Sequence, residues 1–306
     1  MRFVIFRNGP ASRLGVLDPE QSAVLLVEGR GDEDPSRQLL DVVTGMSGPE
    51  SVSPPLVGPA LPLHDLELLA PLPYGERNIF CVGKNYREHA VEFEASGFDT
   101  TSGTGPPAAL EPPIIFTKPR SCVIGPGASI DPHSHLTGAL DYEAEVAVII
   151  GREGRTISRA AAIDHVWGYT IINDVTARDL QRDHKQWFLG KALDTFCPLG
   201  PVAVTADEVD PDNLQLQCWV NGELRQKAST RDLIFDIPTL ISEISKGIRL
   251  LPGDVISTGT PAGVGVGFDP PRWLRAGDEI TISVTSLGTL TNTVGPSGTG
   301  PGAFPD

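Results

Sequence analysis

The sequence predicts a β-rich α+β protein whose core is built from β-sheet. Short apolar segments separated by turn residues recur along the chain, and this spacing is typical of successive strands. One of them, LQLQCWV, is apolar at every second position and is followed by Asn221-Gly222, the strongest short signal for a β-hairpin. Eight strands are predicted after Asn78, in the segments NIFCVG, PIIFTK, EVAVIIG, GYTIIND, PVAVTA, LQLQCWV, DVISTGT and EITISVTS.

Helical segments are fewer. Asp236 is predicted to cap one helix, because its carboxylate can accept hydrogen bonds from the free N–H groups of the first turn. Pro238 fits the same turn, where a proline is tolerated. The apolar residues on one face of this helix are Ile237, Leu240, Ile241, Ile244 and Ile248. Ser158 is predicted to open a short alanine-rich helix that ends near His165.

Proline-rich and glycine-rich segments divide the chain. Residues 1–72 are predicted to form a small N-terminal β-rich domain, and residues 73–293 the main sheet-built domain. Residues 294–306 are expected to form a flexible tail, because they contain too little apolar surface to pack. A second irregular segment, residues 95–113, interrupts the main domain, and long insertions of this kind are often active-site lids.

The chain is strongly acidic. Its 306 residues include 24 lysines and arginines and 39 aspartates and glutamates, which gives a net charge of −15. This charge repels nucleic acids and anionic membrane surfaces, so neither is expected as a partner. A small anionic substrate is compatible with it, because a bound cation and a few basic residues can reverse the potential within one cleft.

The sequence shows neither an export signal nor a membrane span. The segment MRFVIFRNGPASRLG lacks an apolar region before a cleavage site, and no apolar stretch reaches the ~18–20 residues of a membrane helix. The cysteines are Cys81, Cys122, Cys197 and Cys218, and they form no C-x-x-C pair. We therefore expect a cytoplasmic protein with buried free thiols, in preference to a disulfide, a zinc site or a catalytic thiol.

Three carboxylates are candidates for a metal site. In LDYEAEVAVIIG the alternation predicts a strand on which Glu143 and Glu145 point to the same face. Adjacent carboxylates repel each other unless one is protonated or a cation lies between them. Asp174 follows the predicted strand of GYTIIND. Three oxygen ligands favour Mg²⁺, Mn²⁺ or Ca²⁺ over zinc, and the alternative is a solvated edge strand that carries acidic residues for solubility.

Two further groups are candidates for acid–base chemistry. His89 and Glu92 in GKNYREHAVEF share one face of a helix, so the carboxylate can orient the imidazole. The alternative is a pair on an ordinary surface helix. Lys191 stands among small and apolar residues in QWFLGKALDTFCPLGP, which suits stabilisation of an oxyanion. Its alternative is a lysine whose stem is buried and whose ammonium reaches solvent.

The glycine-rich segment STGTPAGVGVG is a candidate binding loop. It lacks the G-x-x-x-x-G-K-[ST] spacing of a phosphate-binding loop. It is instead expected to offer backbone N–H groups, with the hydroxyls of Thr258 and Thr260, to a carboxylate.

Taken together, these segments resemble the fumarylacetoacetate hydrolase family. The resemblance rests on GKNYREHAVEF, IIFTKP, DYEAEVAVIIG, GYTIINDVTARDLQ, GKALDTFCPLGP, VNGELRQ and GDVISTGTPAGVG, which occur in this order across residues 73–290. It implies a mixed β-sheet roll as the catalytic domain, a small N-terminal β domain, a homodimer, and Mg²⁺ or Mn²⁺ as cofactor. It also implies that the metal ligands are Glu143, Glu145 and Asp174.

The same resemblance implies roles for six other residues. His89 and Glu92 are similar to the pair that activates water in this family, and Lys191 to the catalytic lysine. The residues that look like the groups holding the substrate carboxylate are Arg178, Gln181 and Thr260.

The activity implied by the resemblance is hydrolysis of the C–C bond of a 2,4-dioxo acid, of acylpyruvate or fumarylpyruvate type, through a metal-bound enolate. Two alternatives use the same site: a tautomerase or isomerase, and a decarboxylase of oxaloacetate type. The presence of both His89 and Glu92 favours hydrolysis, because hydrolysis needs an activated water. A non-catalytic protein that binds 2-oxo acids is the alternative of a different class, and the complete set of acidic and basic candidates argues against it.

Overall fold

The structure, a computed structural model, describes residues 1–29, 33–47, 52–99 and 112–296. The α-helices of these residues are α1 (Pro35–Met46), α2 (Arg87–Ala95), α3 (Arg178–Asp183), α4 (Phe188–Lys191) and α5 (Ile237–Ser245). The first ten strands are β1 (Arg2–Asn8), β2 (Ala11–Leu17), β3 (Ala23–Val27), β4 (Leu56–Pro62), β5 (Glu67–Leu69), β6 (Ile79–Gly83), β7 (Ile114–Lys118), β8 (Val123–Ile124), β9 (Ser129–Ile130) and β10 (Leu140–Asp141). The others are β11 (Ala144–Ile150), β12 (Val166–Asn173), β13 (Thr176–Ala177), β14 (Cys197–Thr205), β15 (Gln215–Val220), β16 (Glu223–Ser229), β17 (Val255–Ser257), β18 (Glu279–Val284) and β19 (Gly288–Val294).

Most strands belong to one large mixed sheet. Its strands lie in the order β4-β3-β2-β1-β14-β12-β11-β17-β6-β7, with β5 paired to β1 and β8 to β14. Most neighbours are antiparallel, whereas β17 with β6 and β8 with β14 are parallel. A second sheet has the order β16-β15-β18-β19-β9, and β10 pairs with β13. The predicted β-rich α+β fold is confirmed.

The large sheet is covered on both faces. One face packs against the second sheet, through contacts of β11, β12 and β14 with β15, β18 and β19. The opposite face is covered by α1, whose Leu39 and Val43 share a hydrophobic cluster with Ile149 of β11. Val148, the preceding residue, lies in the hydrophobic cluster between the two sheets. Since successive side chains of a strand point to opposite faces, β11 has a hydrophobic layer on each side.

The strand predictions are confirmed. Each of the eight segments predicted from the sequence contains a strand. Asn221 and Gly222 join β15 to β16 with φ values of 51° and 77°, the left-handed values that the favoured two-residue hairpin turn requires.

Both helix predictions are confirmed in position, but α5 ends at Ser245, so Ile248, predicted on its apolar face, lies beyond the helix and is 41% exposed. Asp236 caps α5 by accepting a hydrogen bond from Thr239 N. The segment after Ser158 is helical, but it is a 3₁₀ helix, Arg159–His165. Its first turn closes with a bond from Ala161 N to the Ser158 carbonyl oxygen (3.0 Å), three residues back, which is the 3₁₀ pattern.

The N-terminal strands continue the large sheet. β1 pairs with β14, with Phe3 opposite Ala203, and β2, β3 and β4 extend the sheet from there. The domain boundary near residue 72 and the homodimer stay predictions. The predicted lid is residues 95–113, and its residues 100–111 lie outside the described residues. The predicted tail is residues 294–306, and its residues 297–306 also lie outside them.

All four cysteines are buried and free, as predicted. Cys81, Cys122 and Cys197 belong to the hydrophobic cluster beneath α1, and Cys218 to the cluster between the sheets. In the part of the chain that the structure describes, no helix is long and apolar enough to cross a membrane.

Candidate active site and metal centre

The pairing of β11 with β12 brings Glu143 and Asp174 together. The strands are antiparallel with Ala144 opposite Asn173, so the residue before β11 faces the residue after β12. Asp174 N donates to the Glu143 carbonyl oxygen (2.8 Å), and Glu143 N donates to Asn173 Oδ1 (3.0 Å). Glu145 lies two residues further along the chain, in β11. The register of one strand pair therefore places all three carboxylates at one end of the sheet.

The three carboxylates form a buried cluster. One oxygen each from Glu143, Glu145 and Asp174 lie within 4.8 Å of one another, and the three residues are 5%, 1% and 0% exposed. Three hard oxygen donors at this spacing suit Mg²⁺ or Mn²⁺, and a cation would relieve their mutual repulsion. The cluster therefore fits a divalent metal. The alternative of a solvated edge strand is wrong, because β11 lies between β12 and β17 inside the large sheet.

Three buried basic side chains surround the cluster. Lys191 Nζ donates to Glu143 Oε2 and to Asp174 Oδ2, both at 2.8 Å. Arg178 Nη2 lies 2.7 Å from Glu143 Oε1, and Lys118 Nζ lies 2.6 Å from Asp174 Oδ1. Lys191 is 1% exposed, so the alternative of an ammonium that reaches solvent is wrong. Glu143 and Asp174 therefore each have two cationic neighbours.

These cations determine the ionisation of Glu143. Burial by itself would raise the pKa of this carboxyl, but the charges of Lys191 and Arg178 outweigh burial and hold the pKa at about 2. Glu143 is therefore an anion at neutral pH, ready to bind a metal without losing a proton.

Glu145 has a different environment. Its Oε2 accepts hydrogen bonds from Ser257 Oγ (2.6 Å) and Gly259 N (2.9 Å), which are neutral donors. Burial first, and then the negative charges of Asp174 and Glu143, raise the pKa of Glu145 well above its usual range. The metal-free environment therefore favours the protonated form of Glu145, and a metal would compete with the proton for this carboxyl.

The histidine–glutamate pair lies on α2. His89 Nδ1 is 3.2 Å from Glu92 Oε2, and His89 is 4% exposed, so the alternative of a pair on a surface helix is wrong. Gly263 N donates to the other Glu92 oxygen at 2.9 Å. A Cβ at Gly267 would lie 2.0 Å from that oxygen, so Glu92 needs a glycine there. With Nδ1 held by Glu92, Nε2 is the ring nitrogen left to exchange a proton with a ligand.

The glycine-rich loop binds carboxylates through its backbone, as predicted, but these carboxylates belong to the protein. The residues whose side chains accept from its N–H groups are Glu92, Asp141 and Glu145. The hydroxyls of Thr258 and Thr260 donate to the carbonyl oxygens of Val146 and Ala144, at 2.8 and 3.1 Å. They fasten the loop to β11, and their use by a ligand carboxylate stays a prediction.

One pocket brings the predicted residues together. It is narrow in this structure, with a cavity volume of about 10 Å³ for water-sized molecules. The predicted site residues that line it are His89, Glu143, Arg178, Gln181, Lys191 and Thr260. Arg178 Nη1 donates to Gln181 Oε1 at 3.2 Å, and part of the wall is apolar, formed by Phe93, Phe116 and Trp187. The other three predicted residues lie just behind the pocket wall. Glu92 contacts His89, and Glu145 and Asp174 belong to the same carboxylate cluster as Glu143.

Two buried charged residues of the site were missed in the sequence. Asp141 Oδ2 accepts from Arg178 Nε at 2.8 Å, and Lys118 pairs with Asp174. Both stand in segments that were recognised, LDYEAE and IIFTKP. Each is a single charged residue beside or within an apolar strand. Such residues are rarely buried unless they are paired, so this pattern could have indicated a buried ion pair.

Comparison with known proteins identifies the family. The family model described as fumarylacetoacetate (FAA) hydrolase, C-terminal, matches residues 78–295, which is more than two thirds of the chain. The protein therefore belongs to the fumarylacetoacetate hydrolase family, as the sequence motifs indicated. The mixed β-sheet fold of that family is confirmed by the solved structures that the chain resembles.

Three relatives bear on the activity. The chain is 50% identical over 235 residues to oxaloacetate tautomerase YisK of Bacillus subtilis, which covers 76% of this chain and 74% of YisK. It is 40% identical to the solved fumarylacetoacetate hydrolase of Exiguobacterium antarcticum, with a TM-score of 0.79 over 97% of this chain and 99% of that one. Maleylpyruvate hydrolase from Sphingobium sp. SYK-6, solved with manganese(II) and pyruvate, is 30% identical, with a TM-score of 0.75 over 97% of this chain and 100% of that one. Since hydrolases and a tautomerase share this fold, the fold alone does not name the reaction.

Proposed function

We propose that the protein is a divalent-metal-dependent tautomerase that interconverts the keto and enol forms of oxaloacetate. The observation that carries the proposal is the 50% identity to an oxaloacetate tautomerase, in a chain whose pocket combines a carboxylate cluster with a histidine–glutamate pair. Tautomerisation was an alternative in the sequence analysis. The comparisons favour it over C–C bond hydrolysis, which becomes the second candidate.

Glu143, Glu145 and Asp174 are the residues that would hold the metal. A divalent ion there would polarise the 2-oxo oxygen of a bound 2-oxo acid as a Lewis acid, and so make the protons on C3 more acidic. The donor set favours Mg²⁺ or Mn²⁺ for this role. The pocket also supplies local positive charge in a protein of net charge −15, which allows a small anion to enter.

His89 is the proposed acid–base group. Its Nε2 would take a proton from C3 of the keto form, and the same ring would return that proton to the 2-oxo oxygen, so that no other reactant is consumed. Glu92 accepts from Nδ1 in the neutral ring and stabilises the imidazolium that forms during the transfer. Gly263 N fixes the far oxygen of Glu92, which keeps the pair in one orientation.

Lys191 is the proposed stabiliser of negative charge. Two of its N–H groups are committed to Glu143 and Asp174, and the third remains for the oxygen on which charge develops. A single donor placed in this way contributes roughly 3–4 kcal/mol to transition-state stabilisation in other enzymes.

Hydrolysis of a 2,4-dioxo acid is supported by a specific relative, the maleylpyruvate hydrolase whose structure contains manganese(II) and pyruvate. The same histidine would then activate a water molecule rather than transfer a proton to and from C3. An oxaloacetate decarboxylase is a third outcome on the same site, because loss of carbon dioxide from the keto form would leave the enolate of pyruvate, whose negative charge the same cationic groups would stabilise.

The test is turnover of the purified protein loaded with Mn²⁺ or Mg²⁺. The ketonisation of enol oxaloacetate would be followed by the loss of its ultraviolet absorbance, and pyruvate and carbon dioxide would be measured in the same samples. Acetylpyruvate and fumarylpyruvate would be assayed in parallel. A metal chelator and the Glu145→Gln variant serve as negative controls, and Glu153→Gln, which changes an exposed glutamate, serves as the matched control.

Chelator-sensitive ketonisation without pyruvate or carbon dioxide would support the tautomerase. Pyruvate and a partner acid released from the 2,4-dioxo acids, with no acceleration of ketonisation, would establish the hydrolase instead. Carbon dioxide released from oxaloacetate at the rate of ketonisation would establish a decarboxylase. Tight binding of 2-oxo acids without any of these reactions would identify the non-catalytic binding protein.

A further inference from the structure

One basic residue of the pocket makes no ion pair with the carboxylate cluster. Arg178 and Lys191 line the pocket, but both are bound to cluster residues or to Asp141. Lys84 also lines the pocket. Its ammonium forms an ion pair with Asp99, which lies four residues after the end of α2. The pocket therefore has basic side chains at two places, Arg178 and Lys191 at the cluster and Lys84 beside Asp99, and all of them are ion-paired.

The backbone at Lys84 is unusual. Lys84 directly follows β6 and has a φ of 53°, in the left-handed region that residues with a side chain rarely adopt. Backbone conformations of this kind persist where the surrounding structure holds them, and they are concentrated at functional sites. This turn directs the side chain of Lys84, which is 17% exposed, towards the pocket.

Phe93 lies close to a basic side chain from each place. The Lys84 ammonium lies 5.8 Å from the centre of the Phe93 ring, and the Arg178 guanidinium lies 5.3 Å from the centre of the same ring. The two cations therefore border one aromatic residue of the pocket wall. A ligand with two anionic ends has a positively charged group for each end.

We propose that Lys84 is a specificity-determining residue that binds the distal carboxylate of a 2-oxo dicarboxylate. The proposal rests on the proposed function, because it takes the 2-oxo acid end of the substrate to lie at the carboxylate cluster. A second carboxylate inside the pocket would be costly to desolvate without a cationic partner. Lys84 supplies that partner, because an ammonium has three donors and Asp99 leaves some of them for a ligand. The chain is thereby selective for 2-oxo diacids over 2-oxo monoacids.

The test compares oxaloacetate with pyruvate, which has the same 2-oxo acid end but lacks the distal carboxylate. Binding of both to the Mn²⁺-loaded protein would be measured by calorimetry with freshly dissolved ligands, together with the KM for oxaloacetate and the Ki of pyruvate. In Lys84→Met we expect the Kd and KM of oxaloacetate to rise about 10-fold or more, while the values for pyruvate change less than about 2-fold. Lys84→Arg should restore most of the affinity for oxaloacetate.

The controls separate this proposal from the proposed function. Lys227→Met, which changes an exposed lysine of β16, should leave both ligands unaffected. Equal weakening of both ligands in Lys84→Met, or no change for either, would overturn the role of Lys84. If the wild-type protein bound oxaloacetate but did not ketonise it, the proposed function would fail, and the comparison of the two affinities would still decide the role of Lys84.

Discussion

Glu143 and Glu145 are two residues apart at the start of β11, but their carboxyl groups have opposite kinds of partner. Glu143 accepts from the Lys191 ammonium at 2.8 Å. Glu145 accepts from two neutral donors, Ser257 Oγ at 2.6 Å and Gly259 N at 2.9 Å. The surroundings of Glu143 therefore favour its anion in the metal-free protein, whereas burial and the neighbouring carboxylates favour the protonated form of Glu145.

Glu145→Gln is expected to retain the fold and lose the metal. An amide has the shape of a protonated carboxyl, and its oxygen can accept both existing hydrogen bonds, so the free energy of unfolding of the metal-free protein should change by less than about 1 kcal/mol. The amide is not an anionic ligand, so the affinity for Mn²⁺ should fall about 10-fold or more. Urea unfolding and calorimetric titration with Mn²⁺ measure the two effects. Unchanged Mn²⁺ affinity would remove Glu145 from the metal site.

Glu143→Gln is expected to destabilise the protein strongly, because it leaves buried Lys191 and Arg178 without their shared anion. Loss of one partner of a buried ion pair typically costs about 3 kcal/mol or more. The cost should depend on pH. The pKa of Glu143 is lowered from 4.5 to about 2, so its stabilising contribution is complete above the unfolded pKa and is lost as the pH falls towards 2.

The measurement is urea unfolding of the wild type and Glu143→Gln at a series of pH values. The difference in the free energy of unfolding should be largest near neutral pH and should shrink below pH 4.5. Groups distant from Glu143 titrate alike in both proteins and cancel in this difference. A difference that stayed constant with pH would contradict the assignment of Glu143 as the ionised carboxyl.

Metal binding is expected to release a proton. The pKa of Glu145 is raised by burial and by the neighbouring carboxylates, so Mn²⁺ must replace the proton on this residue, and its affinity should increase with pH up to the pKa of Glu145. Calorimetric titrations in two buffers with different ionisation enthalpies would count the protons released. Identical heats in the two buffers would show that Glu145 is already ionised before the metal binds.

Gly267→Ala is expected to impair the acid–base pair without touching the ligands of the metal. Its Cβ would lie 2.0 Å from Glu92 Oε1, so the Glu92 carboxylate has to shift from the position in which it contacts His89. We expect kcat to fall about 10-fold or more, with the Mn²⁺ affinity unchanged, and Glu92→Gln to have a similar effect. Gly247→Ala is the matched control, because no atom lies within 4 Å of the Cβ position there. A loss of activity in both alanine variants would indicate a general effect on stability.

Local patterns predicted eight of the fourteen described strands after residue 78 and part of the site. The alternation in LQLQCWV and the Asn221-Gly222 turn are properties of a few consecutive residues, and both formed as predicted. The two-residue spacing of Glu143 and Glu145 correctly predicted a shared face, because strand geometry alone sets it. The motifs are short stretches of the same kind, and their order along the chain correctly indicated the family.

Other features depend on residues that are distant in the chain. β11 is an interior strand because it pairs with β12 on one side and β17 on the other. Its carboxylates are buried for this reason. Lys118 of β7 reaches Asp174, which follows β12, and no local pattern indicates such a contact.

The sequence by itself determined eight of the strand segments, the acidic residues of the cluster and the family, because these follow from residue type and spacing along the chain. The tertiary structure alone decided which carboxyl is charged. Glu143 and Glu145 are chemically identical and nearly adjacent, but α3 and α4 bring cations to one of them, while the glycine-rich loop brings neutral N–H and O–H donors to the other. The ionisation of a buried group is set by the charges and dipoles folded around it, and these come from elements far away in the sequence.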